Sequence, residues 1–205
     1  MWQWLAMITM TIDHIGYVFF PDEQLWRIIG RVAFPVYAYL LVEGYKHTRN
    51  VRRYMLRLLL LFAVSQVPYM ALFQTKELNV IGTLLLSVVV LWAADQSKLW
   101  LKALLIPACS AALLLLDIDY GLYGLLLVLI YRYVRSYWGA VLHAAATFVF
   151  FHQVPVQYYS VPVSLLLLSE AAPKARRAPA WLWRSFYPLH LVMLWLIRQI
   201  WLHQV

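Results

Sequence analysis

Three ionisable residues lie inside apolar runs where charge is expensive. Asp13 and His14 sit in Met10-Thr11-Ile12-Asp13-His14-Ile15-Gly16, and Arg31 sits in Ile29-Gly30-Arg31-Val32-Ala33-Phe34-Pro35. Such residues cost about 2.5–3.5 kcal/mol each on membrane-insertion scales, and by default they are candidates for function. Each lies about six residues from the nearer end of its run, so all three share a depth of about 9 Å. Neighbours on a helix point about 100° apart, so Asp13 and His14 do not face each other. The expected arrangement is Asp13 paired with Arg31 and His14 turned into a cavity. A neutral imidazole beside a fixed carboxylate and guanidinium suits proton transfer. The structural alternative is an ion pair that fixes helix register, with a hydrogen-bonded histidine beside it.

A second set is basic: Lys46, His47, Arg49, Arg52, Arg53 and Arg57. The arginines recur at helical spacing and would form one face. Guanidinium forks suit phosphate, and several together suit a polyphosphate. Topology and anionic lipid explain the same residues without any ligand. Tyr187 and His190 open the last apolar run and share a helix side, near that same basic end.

Helices must position these groups. The chain has 205 residues, 64% hydrophobic and 13% charged, too apolar for a soluble chain to hide. Spans are expected at about 2–20, 25–44, 54–73, 79–94, 99–116, 121–134, 137–152, 154–169 and 184–203. The sixth to eighth are short, and one of them is a candidate for a re-entrant or tilted segment. Lys46 to Arg53, Lys98 with Lys102, Arg132 with Arg135, and Lys174 with Arg176 and Arg177 all fall on even-numbered turns. The odd turns carry Asp22 with Glu23, Lys76 with Glu77, Asp117 with Asp119, and His152 with Gln153, and so read acidic or neutral. The positive-inside rule then places the N-terminus in the cytoplasm. The expected fold is all-α: one polytopic membrane domain over 1–205 with about nine spans, in a bacterial cell (inner) membrane. The opening residues show no basic leader and no cleavage site, so no removable signal peptide is expected.

Several classes are disfavoured. The formal charge of +8 is explained by inner-loop arginines, so no nucleic-acid partner is expected. The single cysteine, Cys109, rules out a disulfide within the chain and a thiolate zinc cluster. His-Glu-x-x-His is absent, and no metal is expected. A haem protein would need two span histidines as axial ligands, with His14 and His143 the pair to consider. A transporter would use Asp13, His14 and Arg31 as a relay, but no broken-helix repeat accompanies them.

The order of the motifs resembles the TraX family, membrane proteins associated with N-terminal acetylation of conjugative pilin. The matching stretches are the Asp13-His14 and Arg31-Pro35 runs, Glu43-Gly44-Tyr45-Lys46-His47-Thr48-Arg49-Asn50, Tyr54-Met55-Leu56-Arg57, Ser65-Gln66-Val67-Pro68-Tyr69, Leu78-Asn79, Asp119-Tyr120-Gly121 and Phe186-Tyr187-Pro188-Leu189-His190. One departure is the segment after Ser169, where an Asn-Gly turn is expected and an Ala-Pro-rich basic stretch stands instead. The resemblance implies a transferase that takes acetyl from cytoplasmic acetyl-CoA. Its acceptor would be an amine such as a peptide N-terminus, or alternatively a sugar hydroxyl. On that reading Lys46, His47, Arg49, Arg52, Arg53, Arg57 and Tyr187 hold the acetyl-CoA. His14 is the base, Asp13 and Arg31 set its tautomer, and His190 is a second base or a partner to the thioester. Gln66 or Asn79 donates to the oxyanion, and Asp119 supports charge. Expected partners are acetyl-CoA, an acceptor peptide or glycan and the lipid bilayer; the oligomeric state is open.

Overall fold

The structure, a computed structural model, describes residues 1–134, 136–169 and 178–202. Arg135, Lys174, Arg176 and Arg177, named above as topology signals, lie outside the described residues, as does the departing segment from Glu170. The described chain is all-helical: α1 (Trp2–Phe19), α2 (Gln24–Gly30), α3 (Ala33–His47), α4 (Val51–Phe73), α5 (Val80–Ala94), α6 (Leu99–Leu115), α7 (Gly121–Tyr133), α8 (Tyr137–Phe151), a 3-10 helix (Pro155–Ser160), α9 (Val161–Leu168) and α10 (Ala180–Leu202). Among the described residues, two helical stretches are long and apolar enough to cross a membrane, Gln24–His47 and Val51–Phe73.

Two expected spans are interrupted, each for a reason in the sequence. The run 25–44 breaks at Arg31–Val32 into α2 and α3. Pro35 has no N–H for the Arg31 carbonyl, and its ring crowds that carbonyl, so the helix restarts at Ala33. The run 154–169 becomes a 3-10 helix followed by the short α9. Pro155 starts it, and Pro162 cannot donate to the Tyr158 carbonyl, so the tighter i→i+3 pattern holds until α9 begins. α4 and α5 start at side-chain caps: Asn50 Oδ1 accepts from Arg53 N at 2.9 Å and Asn79 Oδ1 from Ile81 N at 3.0 Å.

α1 packs on α2, α3 and α10, α4 on α5 and α10, and α7 on α3, α5 and α8. Between them Val36, Val42, Val88, Leu127, Val128 and Leu191 are fully buried. The loops before α5 and α7 are tied by one parallel bridge, Leu78 to Ile118, with Leu78 N donating to Asp117 O at 2.7 Å and Asp119 N to Leu78 O at 2.9 Å. This tie brings Glu77, Asp117 and Asp119 to the rim of one cavity. At the other end Tyr45 donates to Asp95 at 2.6 Å, with Arg132 Nη2 3.5 Å from the same carboxylate, which joins α3, α5 and α7. Large apolar side chains stay exposed outside this packing, among them Val67, Leu115, Phe148 and Ile200.

Candidate active site

Asp13 is held by two arginines. Its Oδ1 lies 3.0 Å from Arg31 Nη2 and its Oδ2 lies 2.8 Å from Arg27 Nη1. The pairing with Arg31 that matched depths suggested is present, and Arg27, one turn before it, completes a fork around the carboxylate. α1 and α2 approach closely enough because glycine stands at the contact points. A Cβ at Gly30 would overlap the Asp13 side chain, and one at Gly16 would overlap Trp26. Arg31 is fixed further: Nε donates to Arg27 O at 3.2 Å and Nη1 to Gln157 Oε1 at 3.0 Å.

His14 makes a different contact from the one expected. Both Asp13 oxygens are taken by arginine, and the ring partner of His14 is His190, with Nδ1 and Nε2 2.9 Å apart. The two ring planes lie within 19° of each other with centroids 5.0 Å apart, and Phe73 meets His14 edge-on at 4.9 Å. His190 therefore sits beside His14 rather than at the basic end. The reason is that α10 begins at Ala180, which carries His190 well into the helix. Neither Asp13 nor Arg31 is bonded to the His14 ring, whose hydrogen-bond partner is His190.

His14, Asp13, Arg27, Arg31, Tyr69 and Tyr120 line a cavity of about 450 Å³, with Glu77, Asp117 and Asp119 on its loop side. Asp119 is half-buried. Burial pushes its carboxyl up to about 7, against the opposing pull of Arg31. Gln66 and Asn79 do not line this cavity. Gln66 Oε1 accepts from Asn79 N at 3.0 Å and Asn79 Nδ2 at 2.8 Å, and Asn79 Nδ2 also donates to Phe62 O at 3.1 Å. Gln66 Nε2 donates to Glu77 O at 2.8 Å, so these amides join α4 to the start of α5 outside the cavity lining.

A second void of about 930 Å³ runs between α3, α4 and α10. Its walls are Leu58, Leu61, Ile81 and Leu84, and His47, Arg49, Arg57 and Arg184 line it as well. Three of the expected basic residues stand apart from it: Lys46 is bonded to Glu43 Oε1 at 2.9 Å, and Arg52 and Arg53 are exposed in the first turn of α4. Arg52 points to another side of α4, whereas Arg53 shares the side of Arg57 one turn earlier, before the part of α4 that lines the groove. Arg184 was missed by sequence reasoning. Its signal was its place one turn before Tyr187 and Pro188, on the same helix side. Tyr187, Met10, Phe34 and Val80 line both voids, so these four side chains form the partition between them.

Sequence reasoning also missed a buried polar chain behind Arg31. Gln157 Nε2 donates to Tyr123 Oη at 3.3 Å, and Tyr123 Oη lies 2.8 Å from His143 Nε2. His143 Nδ1 is 2.6 Å from Ser164 Oγ, which is 2.6 Å from Tyr131 Oη. His143, Gln157, Ser160 and Ser164 are fully buried. With both ring nitrogens engaged and no exposure, His143 serves as an anchor between α7, α8 and α9. It faces neither void, and so offers His14 no partner for an axial haem pair. Among the described residues no group of three or more His, Cys, Asp or Glu could hold a metal.

Comparison with other proteins gives the relatives of this chain. A curated relative, the "Probable fimbrial assembly protein FimC, serogroup H1" of Dichelobacter nodosus, is 26% identical over 226 residues, spanning 93% of this chain and 91% of its own. A 35-residue stretch, 17% of this chain and 14% of the relative, is 54% identical to "Uncharacterized protein RP591" of Rickettsia prowazekii (strain Madrid E). No solved structure is a significant match. The family model described as "TraX protein" matches residues 1–198, nearly the whole chain, and the protein belongs to the TraX family.

Proposed function

We propose that this chain is a membrane-embedded acetyltransferase that takes acetyl from acetyl-CoA and delivers it to an amine. The observation that carries this reading is the abutment of two unlike voids. An apolar groove lined at one end by His47, Arg49, Arg57 and Arg184 meets the cavity of Asp13, His14 and Arg31 across the Tyr187 partition. Acetyl-CoA has the matching parts in the same order: polyphosphate, a long and weakly polar arm, and a thioester. Its phosphates suit the arginines, its arm suits the leucine walls, and its thioester would reach the cavity beside Tyr187.

At His14 the amine attacks the thioester carbonyl, the imidazole takes the proton released from nitrogen, and the C–S bond breaks. The thiolate that leaves then takes that proton. Charge developing on the carbonyl oxygen is supported by the guanidinium groups of Arg27 and Arg31, which line the cavity on either side of Asp13. This replaces the oxyanion role first expected of Gln66 and Asn79. TraX membership and the fimbrial-assembly name of a relative favour the N-terminus of a filament subunit as acceptor. A sugar hydroxyl is the alternative.

The exposed apolar belt suits lipid. Spans six to eight are then the short helices α7 and α8 and the 3-10/α9 segment. The basic loops face the cytoplasm of a bacterial cell, and acetyl-CoA enters from that side. The test is acetyl transfer by purified, detergent-solubilised protein, with radiolabelled acetyl-CoA and a panel of amine and sugar acceptors. Wild type should transfer, and folded His14→Ala should lose about 10²–10⁴-fold in kcat. Full activity in His14→Ala would remove the reading.

A further inference from the structure

His14 and His190 form a chain of hydrogen bonds whose direction can be read from its far end. His190 Nδ1 lies 2.9 Å from the backbone oxygen of Phe186. A carbonyl oxygen only accepts, so His190 Nδ1 carries the proton. A neutral imidazole has one N–H, which leaves His190 Nε2 with a bare lone pair. That lone pair faces His14 Nδ1 at 2.9 Å, so His14 Nδ1 must donate. His14 then has its own lone pair at Nε2, the nitrogen without a hydrogen-bond partner among the described residues. His14 lines the cavity and His190 does not. The free nitrogen belongs to the ring that faces the cavity. Phe186 stacks on His190 at 4.5 Å and Phe73 abuts His14, so neither ring turns over easily.

We propose that His190 is the positioning residue for His14. Through Nε2 it accepts the His14 Nδ1 proton, and so presents a bare Nε2 to the cavity as the reacting nitrogen. His190 thereby does for His14 what a buried carboxylate does in other base–orienter pairs: it fixes the tautomer and supports the imidazolium that forms. Asp13, enclosed by Arg27 and Arg31, is not available for that task. The proposal rests on the acetyltransferase reading only for the reaction itself, since the tautomer is a property of the resting protein.

The test begins with nitrogen-15 NMR of wild-type protein labelled at histidine, at mildly alkaline pH, with signals assigned by His14→Gln and His190→Gln. Both rings should show a protonated Nδ1 and an unprotonated Nε2. A wild-type His14 protonated at Nε2 would overturn the proposal. Activity gives a second arm. His190→Ala should lower kcat about 10²-fold and leave KM for acetyl-CoA unchanged. His190→Gln, which keeps an acceptor oxygen near the Nε2 position, should restore most of kcat and retain the Nδ1–H signal of His14. Folded His190→Ala with wild-type kcat would also overturn it. The expected tautomers together with no acetyl transfer by wild type would sink the acetyltransferase reading and leave the pairing standing.

Discussion

Asp119 is a carboxyl whose charge state changes near neutral pH. Its carboxyl is raised to about 7 in the fold by burial, whereas an unfolded aspartate titrates near 4. Protonation therefore favours the folded state. The stability this group contributes is fully present below about pH 4 and is lost as pH rises to about 7. Asp119→Asn should flatten that part of the curve of unfolding midpoint against pH measured in detergent. An unchanged slope would mean the carboxyl is not buried enough to matter. Position mattered as much as type among these residues. Asp13, His14, Arg31 and Asp119 could be picked out because each is a charge or imidazole in or beside an apolar run, and all four line one cavity. Gln66 and Asn79 looked similar by type, yet their amides close on each other.

Among the elements, the α1–α2 contact is the most sensitive to a single change. Gly30→Ala would drive a methyl group into Asp13 and separate it from both arginines. The expected result is a loss of about 1–3 kcal/mol in stability from overpacking, together with loss of acetyl transfer. Wild-type melting and activity in Gly30→Ala would show that α2 can shift without disturbing the ion pairs. The groove makes a contrast within one helix. Arg57→Ala should raise KM for acetyl-CoA about tenfold with little change in kcat, the loss of one charge-assisted contact. Arg52→Ala, outside the groove, should change neither. Equal effects from the two would reduce the arginines to a diffuse field. The break between α2 and α3 and the 3-10 start of the eighth segment were both encoded by prolines, Pro35 for the first and Pro155 with Pro162 for the second. Apolar run length alone hid them, because hydropathy does not register a missing N–H.

For the whole molecule, the prediction is opposite exposure of the two ends. Lys76 and Ser97 are exposed loop residues at opposite ends of α5. The native Cys109 is buried, which keeps labelling of an introduced thiol clean. An impermeant maleimide should label Lys76→Cys in intact cells and Ser97→Cys only after permeabilisation. The reverse order would invert the topology and put the arginine-lined end of the groove away from cytoplasmic acetyl-CoA. The sequence by itself determined the helical class, the approximate helix bounds and the alternation of basic and acidic turns. All three depend on local composition and period, which need no knowledge of neighbours. It also carried the family, through motifs in order along the chain. Only the tertiary structure decided which of those motifs meet. His14 and His190 are 176 positions apart in the chain, and Arg31 reaches Gln157 across 126. Such contacts depend on how α1, α2, α10 and the 3-10 helix pack together. That packing is set by glycine contact points and helix starts, and periodicity does not reveal it.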